Sequence, residues 1–307
     1  MDRDITEAEF LCEKAESVQN SSKFMNFIKG RTDDDKQDLI KEYYSRVALL
    51  YKKNKLYSKA YDIYTILLDI IKTDDPDWIQ FAFYACACCK NMSNMNEYRN
   101  IHNRMIQVYQ DNGRYYSACG LLVEDADSMY KEYLECSSNP DELHHINQLY
   151  DQALELINLD CNDHSSILDS CYLGKSRVYM LLEEYNEAAT LLEYMASLYK
   201  DDSSRKYRIT EWLFMSGLCR LVSCNGEWHT FEHILSNYSE TIVTFDNMYI
   251  QCKMLHDLLD ACKKDDEQKF SKLCFDYDKV KPFTPIETHL LLIVKRKLNN
   301  IQSDDLL

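Results

Sequence analysis

Glycine and proline are scarce in this sequence, at 6 and 4 of 307 residues. Turn-rich β architectures need both in quantity, because glycine supplies positive φ and proline presets the first corner of a turn. Their scarcity excludes such folds and predicts long helices with few special turns. Positive charge is also short: 35 Lys and Arg stand against 51 Asp and Glu, a formal charge of −16. That balance excludes wholesale binding to nucleic acid and leaves room for a local basic face at most. Long apolar runs are missing too. The longest, Phe81 to Cys89 (FAFYACACC), has nine residues, against the roughly twenty of a spanning helix. The opening MDRDITEAEF is acidic and has no apolar stretch of a secretory signal. Thirteen cysteines, an odd number scattered along periodic segments, are expected as reduced, mostly buried thiols of a cytoplasmic protein.

What is present in quantity is helical periodicity. In Lys36–Lys53 apolar residues recur at Leu39, Tyr43, Val47 and Leu50, which predicts one face of an amphipathic helix. The same reading predicts helices near 5–19, 57–72, 76–90, 95–111, 115–135, 141–157, 165–181, 185–200, 205–223, 227–237, 246–263, 266–276 and 285–300. Breaks fall at Asp74-Asp75-Pro76, Ser138-Asn139-Pro140, Asn225-Gly226 and Pro282 to Pro285. A Tyr-x-x-Ala pair is expected to open a helix at Tyr57/Ala60, Tyr115/Ala118, Tyr150/Ala153 and Tyr185/Ala188, with Tyr98/Ile101 a degenerate copy. The small residue admits a partner helix and the tyrosine covers the joint. The spacing between the later copies is close to that of a tetratricopeptide helix pair. The expected fold is therefore all-α: a tetratricopeptide-like helical-hairpin solenoid over residues 1–204. A C-terminal helical bundle over 205–307 would cap it, because the repeat fades from Tyr207.

Catalytic signatures are absent: no G-x-G-x-x-G, P-loop, G-x-S-x-G or H-E-x-x-H occurs. Cys86-Ala-Cys88-Cys89 contains a C-x-x-C, but inside an apolar helix and without a second pair at zinc-ribbon distance. His144-His145 lacks a supporting third ligand. Asp33-Asp34-Asp35 lacks the glycine and terminal glutamate of a calcium loop, and reads as a helix N-terminus. The sequence therefore predicts a protein that is not an enzyme, with no cofactor and no metal.

Two features remain. Phe24, Met25, Phe27 and Ile28 cluster between Lys23 and Lys29 and stop abruptly at Gly30. The sudden end and basic edges favour an exposed apolar loop over a piece of core. At the other end, VKRKLNNIQSDDLL carries the last apolar stripe, Leu290, Val294, Leu298 and Ile301, into an acidic, leucine-tipped tail.

Together with the middle of the chain, these ends resemble the soluble NSF attachment proteins. Phe24 to Gly30 (FMNFIKG) looks like that family's exposed hydrophobic loop. Tyr109 to Ala118 (YQDNGRYYSA) is similar to a family helix junction. Lys206-Tyr207, Leu218-Cys219, Cys252-Lys253, Leu258 to Ala261 and Asp276 to Asp278 follow its C-terminal bundle in order. Leu291-Leu292, Lys295-Arg296 and Asp304 to Leu306 resemble its last helix and tail. The resemblance implies an adaptor that coats assembled SNARE four-helix bundles at a membrane surface and recruits the hexameric ATPase NSF. It implies membrane contact by Lys23, Phe24, Met25, Phe27, Ile28 and Lys29, and SNARE contact by Arg114, Lys175 and Arg177. NSF engagement falls to Asp260, Asp304, Asp305 and Leu306. The chain departs from the family where SNARE-facing lysines align with Gly120, Ser170 and Gly174, and where an acidic pair aligns with Lys263-Lys264. A different class of function on the same fold is a scaffold subunit of a cytosolic assembly with no membrane role.

Overall fold

A computed structural model describes residues 2–20, 32–136, 139–159, 165–241 and 249–304. Among them are fourteen α-helices, one 3₁₀ turn and no strand. The chain divides into two compact units, Met1–Leu122 and Val123–Leu307.

The first unit holds α1 (Asp2–Gln19), α2 (Asp33–Lys53), α3 (Tyr57–Ile70), α4 (Pro76–Asn91), α5 (Met95–Asp111) and the start of α6 (Tyr115–Cys136). From α1 to α5 each helix packs on the next, which is the stacking of helical hairpins in a tetratricopeptide-like solenoid. On α2 the buried stripe is Ile40, Tyr44, Val47 and Tyr51, one step round from the predicted Leu39, Tyr43 and Leu50, which are half-buried. Each predicted position has an apolar neighbour, so two stripes fit the sequence. Packing on α1 and α3 selects between them. Trp78 is buried and its indole N–H donates to the Leu68 carbonyl at 2.9 Å, fixing α4 against the end of α3. Cys86, Cys88 and Cys89 all lie in this core, where burial pushes the Cys89 thiol up to about 11. They are buried thiols, as the sequence suggests.

The predicted breakers become helix caps. Thr32 and Asp35 form a capping box on α2, the threonine hydroxyl oxygen accepting from the Asp35 N–H at 3.1 Å. Asp75 accepts from the Asp77 N–H at 2.8 Å, with Pro76 opening α4.

Scarcity of glycine does not mean few special turns. Five hairpin joints, each three residues long, carry a left-handed residue at their centre: Lys55, Ser93, Gly113, Glu183 and Asp265. In each, that residue's N–H returns to the carbonyl three back, and the next N–H to the carbonyl five back. Examples are Leu56 N to Tyr51 O at 2.9 Å and Glu184 N to Tyr179 O at 2.9 Å. This is the Schellman closure, which satisfies carbonyls that a helix end leaves free. Only one of the five uses glycine, so composition hides the turn.

The fourth residue of the helix after each joint is fully buried: Ala60, Tyr98, Ala118, Ala188 and Phe270. The Tyr-x-x-Ala signal thus marks true helix starts at Tyr57, Tyr115 and Tyr185. Tyr150/Ala153 is a correction, because it lies in the middle of α7 (Pro140–Ile157). Tyr98/Ile101 is another: Met95/Tyr98 holds the matching register.

In the second unit α7, α8 (Ser165–Leu181), α9 (Tyr185–Leu198) and α10 (Lys206–Ser223) stack in order. They are followed by α11 (Trp228–Thr241), α12 (Ile250–Lys263), α13 (Glu267–Asp278) and α14 (Pro285–Asp304). Helix α10 is the hub: it packs on α9, α11, α12 and α14 and buries residues on every side, from Ile209 to Val222. One apolar cluster runs from Met180 to Leu298, so α9 and α10, on either side of residue 204, share a core. Leu290, Val294 and Leu298 are buried as predicted for the last stripe.

Candidate functional site

The predicted site residues fall into three groups. Lys23, Phe24, Met25, Phe27, Ile28 and Lys29 lie outside the described residues, as do Asp305 and Leu306. Asp304 closes α14, and its side chain is likewise outside them. The rest are placed.

Arg114 follows the left-handed Gly113 and precedes α6. It is exposed, with its guanidinium 4.8 Å from the centre of the Tyr109 ring. Lys175 and Arg177 sit two residues apart on α8, hence on different faces. Lys175 is inward: it is buried and ion-paired to Asp151 of α7, so its charge is met within the chain. Arg177 is outward and exposed. Nothing in the local residue pattern marks this division.

Around them α7 and α8 approach closely. Gly174 is buried, and a Cβ there would stand 2.1 Å from Tyr150 Cζ. Tyr150 cannot yield, because it is buried and its hydroxyl donates to Asp127 at 2.7 Å. Of the three positions aligned with family lysines, Gly174 therefore has no room for any side chain, whereas Gly120 and Ser170 are exposed.

Sequence reading missed a basic cluster at the start of α10. Asp169 of α8, buried, receives Arg205 Nη1 at 2.7 Å and Arg208 Nη1 at 3.3 Å. The Arg205 guanidinium stacks 3.9 Å from the Tyr199 ring centre. Burial, and then the hydrogen bond to Asp169, push the Tyr199 hydroxyl up to about 12. The available signal was the run Arg205-Lys206-Tyr207-Arg208, but its acidic partner lies 36 residues away in sequence.

Asp260 belongs to a network at the joint of α12 and α13. It is paired with Lys264 at 2.8 Å and with Lys269. Hydrogen bonds from Lys264 and Lys269 hold its carboxyl down at about 2. Lys263, the other lysine of the departure from the family pattern, pairs with Glu232 of α11 at 2.6 Å. Glu267 pairs with Lys295 of α14 at 2.9 Å. The two lysines are thus absorbed by acids of this chain, and the surface alternates in sign.

Among the described residues no group of His, Cys, Asp and Glu is placed to hold a metal, and no helix is long and apolar enough to cross a membrane.

Comparison with known proteins adds a consistent set. A family model described as soluble NSF attachment protein, SNAP, matches residues 6–299. An alpha-soluble NSF attachment protein of Vitis vinifera is 24% identical over 273 residues, 86% of this chain and 88% of that protein. A protein of the same description from Dictyostelium discoideum is 22% identical over 129 residues, 42% of this chain and 43% of that protein.

Proposed function

Because the chain belongs to the soluble NSF attachment protein family, we propose that it is an adaptor rather than a catalyst. It binds assembled SNARE four-helix bundles at membranes and recruits and stimulates the hexameric ATPase NSF, which takes the bundles apart. The observation that carries this reading is a family match spanning nearly the whole of an all-α, hairpin-stacked chain.

Within it, residues 1–204 serve as the helical-hairpin array and 205–307 as the C-terminal bundle. Phe24, Met25, Phe27 and Ile28, flanked by Lys23 and Lys29, contact the membrane surface peripherally. Arg114 and Arg177 offer exposed charge to an acidic SNARE surface. Lys175, paired with Asp151, contributes only by sharing its charge. On a chain of net charge −16 such exposed basic residues steer encounter and select partners. Asp260, Asp304, Asp305 and Leu306 engage NSF.

The test is a two-part reconstitution. The chain should retain NSF on immobilised SNARE bundles and raise the ATPase rate of NSF. Failure of both overturns the proposal. Recovery instead in a stable cytosolic assembly without SNAREs assigns the scaffold role.

A further inference from the structure

A cleft of about 500 Å³ opens in the second unit between α8, α10 and the segment leading into α14. Its size falls within the range of about 300–1,000 Å³ that holds small organic ligands. Leu173, Met180, Trp212 and Met215 contribute apolar wall, and Arg177, Arg208 and Lys281 bring positive charge from three separate elements.

Lys281 is matched by Glu211 at 3.1 Å. Glu287 keeps its negative charge on the lining while its carboxylate accepts the Thr284 N–H at 2.7 Å and hydroxyl at 2.8 Å in the cap of α14. Arg208 shares Asp169 with Arg205, which is also paired with Asp202 at 3.3 Å. Arg177 has no ion pair among the described residues. With three bases, Arg177, Arg208 and Lys281, against two acids, Glu211 and Glu287, on its lining, the cleft is a local positive site beside an apolar wall on a protein of charge −16. Water solvates a guanidinium well, but a wall of this kind also favours a ligand with an apolar body. Planar guanidinium forks bind phosphate or carboxylate through paired hydrogen bonds.

We propose that this cleft binds an anionic amphiphile: a phosphate or carboxylate head group held by Arg177 and Arg208, with an aliphatic or aromatic body along the apolar wall. The site shares Arg177 with the SNARE-facing charge proposed above, but its test needs neither SNAREs nor NSF.

The test is isothermal titration of the full chain with octyl phosphate, 1-octanol and glycerol phosphate. Octyl phosphate binds saturably at one per chain. The alcohol lacks the charge and glycerol phosphate the apolar body, so each binds at least about tenfold more weakly. Arg177→Gln weakens octyl phosphate by about tenfold, with the melting temperature of the free protein unchanged because no ion pair is lost. Met215→Trp fills the wall and blocks the site. Should that variant fail to melt cooperatively, Arg177→Gln alone decides. Equal affinity for octanol, several molecules bound per chain, or undiminished binding by Arg177→Gln overturns the proposal. Displacement by phosphatidylcholine vesicles containing phosphatidic acid, but not by phosphatidylcholine alone, identifies a membrane lipid as the source. No displacement by either identifies a free amphiphile.

Discussion

A single hydrogen atom matters at Gly174. A methyl group there meets the Tyr150 ring at 2.1 Å, and overpacking of that kind costs about 1–3 kcal/mol. Alanine's better helix propensity returns at most about 1 kcal/mol. Gly174→Ala is therefore expected to lower stability by about 1–2 kcal/mol in denaturant melts. Combining it with Tyr150→Leu should cost less than the two changes summed, a coupling readable in a double-mutant cycle. Glu183 presents the opposite case. Its φ of 60° is unfavourable for a side-chain-bearing residue by roughly 1–2 kcal/mol, and glycine recovers that less its greater unfolded entropy. Glu183→Gly should raise stability by about 0.5 kcal/mol, and Gly113→Ala, at φ 66° in open space, should lower it by a similar amount.

Between elements, one polar knot joins α9, α10 and α11. Glu193 receives Arg220 through two bonds, at 3.0 and 2.7 Å. The Tyr238 hydroxyl donates to it at 2.5 Å and the Ser216 hydroxyl at 3.0 Å. Burial alone would push the Glu193 carboxyl up, but the bonds from Arg220, Tyr238 and Ser216 together outweigh it and hold the carboxyl below the usual range. A lowered carboxyl pKa stabilises above the unfolded value and loses that contribution as pH falls through the folded one. Glu193→Gln should therefore cost about 2–4 kcal/mol near neutral pH. The gap to the unmodified protein should narrow below about pH 5 in thermal melts. The helices themselves were legible in the sequence, because a 3.6-residue period survives every local ambiguity. Their facing was less so: Leu39-Ile40, Tyr43-Tyr44 and Leu50-Tyr51 each offer two apolar neighbours, and only contact with α1 and α3 chooses. The joints were hidden because Lys55, Ser93 and Asp265 do not advertise a left-handed backbone as glycine does. Among the placed site residues, Arg177 and Asp260 lie where charge can be offered or exchanged. The inward turn of Lys175 and the Asp169 cluster depend on partners 24 to 39 residues away, beyond the reach of local pattern.

For the whole molecule, the adaptor reading makes separable claims about its two ends. Fully burying a large apolar side chain is worth roughly 1.5–3 kcal/mol, and a loop dipping into a membrane gains a fraction of that, so binding is reversible. Phe24→Ser with Phe27→Ser should weaken NSF-driven disassembly of SNARE bundles on liposomes while sparing soluble bundles. Equal loss in both assays would mark a folding defect. Leu306→Ala should keep SNARE binding and reduce stimulation of the ATPase, and undiminished stimulation would remove the tail from the mechanism. The three-residue joints also constrain how this chain can vary in length. One residue added within 182–184 would turn the following helix by about 100°, carrying Ala188 away from the core and a polar neighbour toward it. The hairpin joints must therefore pass through descent at constant length, as fixed spacers in which substitutions alone are tolerated.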